Sequence, residues 1–189
     1  RDVELVLFEV DDGPNNLPSH EEIEEMRRLA ARHDMTYTVH LPLDLRLADE
    51  GAARHDSIGK ACRVIDGTRL LDPWAYVLHL DGKSVLNRSD PGSLSRWRER
   101  AVRSLESVGR RTGDLPKLAV ENLEGDPPGF YDPVLERIAV SRTVDIGHLW
   151  LDGRDPVAYL KKAQPRARVI HIHGIEDRDH RSAAKAPRE

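Results

Sequence analysis

Six short apolar segments alternate with amphipathic helical stretches along the chain, and this alternation restricts the possible folds more than any other feature. The segments are rich in Val, Ile, Leu and Tyr, and they cover residues 3–10, 36–41, 75–80, 117–123, 143–149 and 167–175. Their starts lie roughly 25 to 42 residues apart, a spacing that fits β-strand–α-helix units and not the fixed period of a solenoid. The sequence therefore predicts parallel strands connected by helices.

The intervening stretches carry the signals of helix starts. Ser19 and Glu22 form a capping box, after which Ile23 and Met26 lie on one helical face. Further helices are predicted near residues 57–70, 93–108, 133–138 and 156–163, the last two of which begin with proline.

Parallel strands covered by helices form either an open doubly wound sheet or a closed (βα)8 barrel. No GxGxxG or GxxxxGK[ST] turn follows any of the strands, which disfavours a nucleotide-binding open sheet. We therefore expect a (βα)8 TIM barrel with six βα units present, as one domain over residues 1–189 with a polar tail or loop at 181–189. Because such a barrel takes about 250 residues, we expect its first and last strands to lie outside this sequence.

Polar side chains that can bind metals or protons occur near the C-terminal ends of the predicted strands. They alternate with apolar residues, so they share the face that would point into a barrel. The residues on the strands are His40, His79, Glu121, Asp145, His171 and His173, and His148 and His180 follow strand ends. Since TIM barrels carry their active sites at the C-terminal ends of the strands, we predict a single site there.

Imidazole and carboxylate groups without thiolate are typical ligands of Zn²⁺, Mn²⁺ or Fe²⁺ in catalytic sites. Eight candidates suffice for two or three ions, or for one ion with acid–base groups. Each has a simpler interpretation alone: a strand-end histidine is often a hydrogen-bonded core residue, and Asp145 with His148 can form a salt-bridged turn. Their coincidence on five consecutive strands favours the metal site.

The motifs that carry these residues resemble a known superfamily. Ala119-Val-Glu-Asn122, Val144-Asp-Ile-Gly-His148, Val169-Ile-His-Ile-His-Gly174 and Asp179-His180 are similar to segments of the xylose isomerase-like TIM barrels. That superfamily includes sugar isomerases and epimerases and the AP endonuclease family 2 phosphodiesterases, and the resemblance extends over essentially the whole chain. In the phosphodiesterase branch it implies that the metal ligands are His40, His79, Glu121, Asp145, His148, His171 and His180, with Glu121 bridging two ions.

The chain departs from that branch at two points. The branch has an Asp-x-His pair after its seventh strand, where this chain has Asp179 directly before His180. The glutamate ligand of the eighth strand has no counterpart. Both departures weaken the case for a third ion.

Four longer sequence segments resemble the cobamide-remodelling phosphodiesterases of the superfamily, which cleave the nucleotide loop of corrinoid cofactors. These segments cover residues 3–9, 39–47, 71–79 and 147–153. This resemblance implies a cobamide as the substrate.

The leading hypothesis is a metal-dependent hydrolase, with Zn or Mn as its ion, that cleaves a phosphodiester or phosphoribosyl-type linkage in a small nucleotide-like molecule. Glu121, His173 and Arg46 are its catalytic candidates, although Arg46 is as easily a solvated loop charge as a phosphate clamp. The alternatives are a sugar or sugar-phosphate isomerase or epimerase with one ion, and a non-catalytic corrinoid- or metabolite-binding module. Glu9 is expected either to orient a metal-bound histidine or to form a salt bridge.

Composition argues against several other classes. A net charge of −4, from 29 Lys and Arg against 33 Asp and Glu, disfavours a nucleic-acid partner, which requires a basic face. No apolar run approaches the ~20 residues of a membrane helix, so a cytoplasmic location is expected. Cys62 is the only cysteine, which excludes intramolecular disulfides and zinc–thiolate sites. The oligomeric state stays open.

Overall fold

Six parallel strands form one sheet in the computed structural model, which describes residues 1–9, 15–87, 90, 92–176 and 180–187. The strands are β1 Asp2–Val6, β2 Thr36–His40, β3 Tyr76–Leu78, β4 Leu118–Glu121, β5 Ser141–Asp145 and β6 Ala167–His171. Their order in the sheet is their order in the chain, and every neighbouring pair is parallel. This order confirms the six predicted parallel strands of a partial TIM barrel.

The helices lie between the strands. Within the described residues they are α1 His20–His33, α2 Ala52–Thr68, α3 Lys83–Leu86, α4 Ser93–Thr112, α5 Asp132–Leu135, α6 Ile146–Leu151 and α7 Pro156–Ala163. Short 3₁₀ turns cover Arg69–Leu71, Leu115–Lys117, Gln164–Arg166 and Ala183–Lys185. The predicted capping box is present, since the Glu22 amide donates to Ser19 Oγ and the Ser19 amide donates to the Glu22 carboxylate. None of the described helices combines the length and the apolar character needed to cross a bilayer.

Three of the apolar segments extend four residues beyond the strands that they form. The first reaches residue 10, but β1 ends at Val6. The fifth reaches residue 149, with the strand predicted to end before His148, but β5 already ends at Asp145 and α6 follows at once. The cause is local: the Asp145 side chain accepts a hydrogen bond from the His148 amide at 2.8 Å and so caps the helix. The sixth strand ends at His171 rather than at residue 175, because Gly174 instead forms an antiparallel bridge with Arg181.

The sheet curls into a partial barrel. Trp74, just before β3, and Arg168, on β6, exchange two hydrogen bonds, from Trp74 Nε1 to the Arg168 carbonyl at 3.0 Å and from Arg168 Nε to the Trp74 carbonyl at 2.6 Å. The guanidinium carbon also lies 4.3 Å from the centre of the indole ring, a cation–π distance. Residues three strands apart in the sheet order meet in this way only if the sheet is strongly curved.

The main core lies between the outer face of this sheet and the helices. Alternate residues of β2, β3 and β4 are buried in one cluster with side chains of α2 and α4: Val39, Tyr76, Leu78, Leu118, Val120, Val64, Ile65, Trp97, Ala101 and Leu105. The other alternate positions belong to the inner face of the curled sheet, where the predicted polar residues lie. The apolar layer therefore holds the strands in place, while the inner face carries the polar side chains of the candidate site.

Candidate metal centre

The structure places the predicted ligands together at the C-terminal end of the sheet. His40, Glu121, Asp145 and His171 are the last residues of β2, β4, β5 and β6, His79 directly follows β3, and His148 lies in α6. His40, Glu121, Asp145 and His148 are buried, with at most 5% of each exposed. Because all the strands are parallel, their ends meet at one edge, as the sequence predicted.

The first ligand group consists of His40, His79 and Glu121. Glu121 Oε2 lies 3.1 Å from His40 Nε2 and 3.3 Å from His79 Nε2. The backbone carbonyl of Leu41 can only accept a hydrogen bond, and it lies 2.8 Å from His40 Nδ1, so Nδ1 carries the proton. His40 therefore presents Nε2 to the group, which is how proteins commonly orient a metal-binding histidine.

The second ligand group consists of Glu121, Asp145 and His171, and it uses the other oxygen of Glu121. Glu121 Oε1 lies 3.0 Å from His171 Nδ1. His148 Nδ1 is 3.9 Å from the same oxygen but donates to the Asn122 carbonyl at 2.9 Å, so His148, like His40, presents Nε2. Asp145 Oδ2 lies 3.6 Å from His171 Nδ1 and is buried without a hydrogen-bond partner among the described residues. The two oxygens of Glu121 thus point to two adjacent sets of donors.

A third group consists of His148, His173 and His180. The His180 amide donates to His173 Nδ1 at 3.0 Å, and His173 Nε2 lies 3.1 Å from Asp145 Oδ1. The backbone therefore occupies His173 Nδ1, whereas Nε2 lies against Asp145 without forming a hydrogen bond with the described residues. Asp179, the displaced aspartate of the sequence comparison, lies outside the described residues.

The charges in the centre influence one another strongly. Burial would raise the pKa of Glu121, but contacts with His171, His40 and His79 outweigh it and hold that pKa far below its ordinary value. Burial would lower the pKa of His171, but Asp145, Glu121 and Glu4 raise it to about 12. The pKa of His148 is also raised, because the charge of Asp145 and the Asn122 carbonyl outweigh burial. Buried carboxylates of this kind call for a cation, either protons on the imidazoles or a metal ion.

The donor set fits a divalent transition metal. Imidazole nitrogens and carboxylate oxygens are borderline-to-hard ligands that suit Zn²⁺ and Mn²⁺. The buried oxygen of Asp145 without a partner among the described residues is a further sign, because such an atom is normally satisfied. The residues that would hold the ions are therefore His40, His79, Glu121, Asp145, His148 and His171.

Two candidates lie apart from the ligand groups. Arg46 is on the loop after β2, where its Nε donates to Asp49 at 3.0 Å and its side chain is half exposed. Glu9 forms an ion pair with Arg63, which is the second of its two predicted roles.

Sequence reasoning missed several residues of the centre. The Asn122 side chain bonds to the backbone of Asp145, and Glu124 Oε2 lies 3.3 Å from His148 Nε2. Gly147 leaves room for His173, since a Cβ at residue 147 would lie 2.0 to 2.4 Å from its ring atoms. Glu4 on β1 contacts His171. Glu4 is in register with inward-facing Thr38, but no pattern in the sequence predicts its contact with His171.

Comparison with known proteins places these features in context. The family model described as xylose isomerase-like TIM barrel matches residues 2–184 of the chain. No curated protein matches the sequence.

Among solved structures, a D-tagatose 3-epimerase-like protein is similar with a TM-score of 0.73 and 21% identity, over 95% of this chain and 69% of that chain. A D-psicose 3-epimerase, solved in the presence of D-fructose, gives 0.63 and 18% over 82% and 58%. Endonuclease IV from Thermus thermophilus gives 0.63 and 19% over 89% and 65%. At these identities the likeness shows the fold, and the chain spans between 58% and 69% of the length of these three proteins.

Proposed function

This chain belongs to the xylose isomerase-like TIM barrel family, and we propose that it is a metal-dependent hydrolase of a small phosphodiester. The observation that supports this proposal most is the division of Glu121 between two donor groups. One of its oxygens lies within 3.3 Å of the His40 and His79 imidazoles, and the other lies 3.0 Å from His171. A one-ion isomerase has no evident use for His40 and His79, whereas a bridged pair of ions uses both groups.

The ions expected here are Zn or Mn, as the donor set indicates. Bound as a pair, such ions supply a hydroxide at neutral pH and neutralise charge on phosphate oxygens. Glu121 would help to hold both ions, since its carboxylate is buried and contacted on both oxygens. His173, 3.1 Å from Asp145, orients that carboxylate, and Arg46 reaches a substrate phosphate only by leaving Asp49.

The substrate proposed is the nucleotide loop of a cobamide. The support is the resemblance of residues 3–9, 39–47, 71–79 and 147–153 to cobamide-remodelling phosphodiesterases. A cobamide contains a phosphodiester between the corrin side chain and the lower nucleotide, which matches the chemistry proposed for the centre.

A sugar isomerase or epimerase is the second candidate, and it fits the structural comparisons at least as well. Two of the similar structures are epimerase-type proteins. One ion held by Glu121, Asp145 and His171 would bind neighbouring sugar oxygens, and a carboxylate would move a proton at the carbon beside the carbonyl. This alternative leaves His40 and His79 as hydrogen-bonding residues.

A substrate panel with the metal-loaded protein separates the candidates. Purified protein is supplied with Zn²⁺ or Mn²⁺ and incubated separately with cobalamin, bis(p-nitrophenyl) phosphate, abasic duplex DNA, D-fructose and D-tagatose. We expect release of p-nitrophenol and a cobinamide-type product from cobalamin, both abolished by Glu121→Gln. Interconversion of the sugars with an unchanged corrinoid would support the isomerase instead. DNA cleavage would contradict the small-molecule assignment, and ligand binding without any turnover would support a non-catalytic module.

A further inference from the structure

Glu4 lies against the outer nitrogen of His171, on the side away from the rest of the second ligand group. Its Oε2 is 2.9 Å from His171 Nε2, an ion-pair contact in which Nε2 forms no hydrogen bond with the described residues. The other ring nitrogen, Nδ1, faces Glu121 Oε1 at 3.0 Å and Asp145 Oδ2 at 3.6 Å. The imidazole is therefore held between one carboxylate from β1 and two from β4 and β5.

The contact joins the two strands at opposite ends of the sheet order. Glu4 is in the middle of β1 and His171 is the last residue of β6. Glu4 is in register with Thr38, two positions before His40 on the inner face of β2. The curl of the sheet, and not the pairing of neighbouring strands, brings the two side chains together.

The local environment distinguishes this contact from a surface salt bridge. The side chains of Glu4 and His171 are only 25% and 17% exposed. Glu4 Oε1 is buried without a hydrogen-bond partner among the described residues. By contrast, Glu9 pairs with an Arg63 side chain that is 58% exposed.

We propose that Glu4 is a positioning residue for the second ligand group: its carboxylate pairs with His171 Nε2 and so directs Nδ1 toward Glu121 and Asp145. This inference rests on the proposed function, since it concerns the same metal centre. A carboxylate behind a metal-binding histidine fixes the tautomer and the ring orientation, and its loss typically lowers metal affinity about 10- to 100-fold. In the contacts observed, Glu4 itself does not touch the carboxylate of Glu121 or of Asp145.

The test compares metal binding by the full chain and by the variants Glu4→Ala, Glu4→Asp and Asp2→Ala. Asp2 is the matched control, because it lies on the same face of β1 but bonds to Thr36 at the far end of the strand. Zn²⁺ alone is titrated against a chelating indicator, and the imidazole nitrogens are observed by ¹⁵N NMR. We expect Glu4→Ala to weaken the second ion about 10- to 100-fold, to leave the first ion unchanged, and to shift the ¹⁵N signals of the His171 ring. Glu4→Asp should restore part of the affinity, and Asp2→Ala should resemble the wild type.

Three results would overturn the inference in distinguishable ways. Wild-type affinity for both ions in Glu4→Ala shows that Glu4 does not position His171. Equal weakening of both ions, together with a lower melting temperature, shows a purely structural role. Failure of the wild-type chain to bind Zn²⁺ at all removes the proposed function, and this inference with it.

Discussion

Asn122 and Asp145 are joined by two hydrogen bonds across adjacent strands. Asn122 Nδ2 donates to the Asp145 carbonyl at 3.0 Å, and the Asp145 amide donates to Asn122 Oδ1 at 2.9 Å. Both residues are buried. This side-chain clamp continues the sheet beyond the last residue of β4 and fixes the carboxylates of Glu121 and Asp145 relative to each other.

We expect Asn122→Ala to lower the free energy of unfolding by about 2–4 kcal/mol, because it leaves two buried backbone groups without partners. The expected second effect is weaker binding of one metal ion, since Asp145 is no longer held. Urea unfolding of the metal-free protein measures the first effect, with exposed Asn87→Ala as the control. Unchanged unfolding of Asn122→Ala would show that the clamp contributes nothing.

Gly147 is predicted to be intolerant of a side chain. A Cβ there would lie 2.0 to 2.4 Å from the His173 ring, so Gly147→Ala must displace that imidazole from Asp145, and overpacking of this kind costs about 1–3 kcal/mol. Gly67→Ala is the matched control, because that glycine is in helix α2 and a Cβ there would meet nothing within 4 Å. Thermal unfolding should show a loss for Gly147→Ala and a gain of about 0.5–1 kcal/mol for Gly67→Ala. Equal behaviour of the two variants would contradict the close approach.

The stability of the metal-free protein should fall as the pH rises above neutrality. Burial acts to lower the pKa of His171, but Asp145, Glu121 and Glu4 raise it to about 12, against about 6.5 for an unfolded histidine. Because the folded pKa is the higher one, this stabilisation is complete below about pH 6.5 and is lost as the pH rises through about 12. The slope reaches at most about 1.4 kcal/mol per pH unit for one such group.

Denaturant unfolding between about pH 6.5 and about pH 9 after EDTA treatment checks this dependence. His171→Asn should reduce the slope, whereas exposed His55→Asn should leave it unchanged. An identical slope in His171→Asn and the wild type would show that His171 carries no extra proton in the folded protein.

The alternation of apolar and polar residues predicts where the candidate ligands lie, but it does not predict contacts that depend on the curvature of the sheet. His40, His79, Glu121 and His171 follow from the alternation of apolar and polar residues along parallel strands, whose ends must meet. The contact between Glu4 and His171 does not follow from this alternation, because no local pattern specifies how far a sheet of six strands curls.

The boundary after β5 shows a different limit. The segment from Val144 to Leu149 mixes three apolar residues with Asp145, Gly147 and His148 and is compatible with a strand, and short buried segments of this kind occur in helices and strands alike. The hydrogen bond from the His148 amide to the Asp145 side chain caps the helix. The helical turn places His148 at the inner edge of the centre. A cap of this kind is visible only once the backbone is known.

The central claim is that Glu121 joins two metal positions, and the number of ions per chain tests it most directly. The measurement is the content of Zn²⁺ after loading and desalting, by inductively coupled plasma mass spectrometry, on folded protein. The account predicts that His79→Ala loses one ion relative to the wild type, that His171→Ala loses a different one, and that Glu121→Gln loses both. A Glu121→Gln variant that folds and keeps the ion content of the wild type would contradict the account.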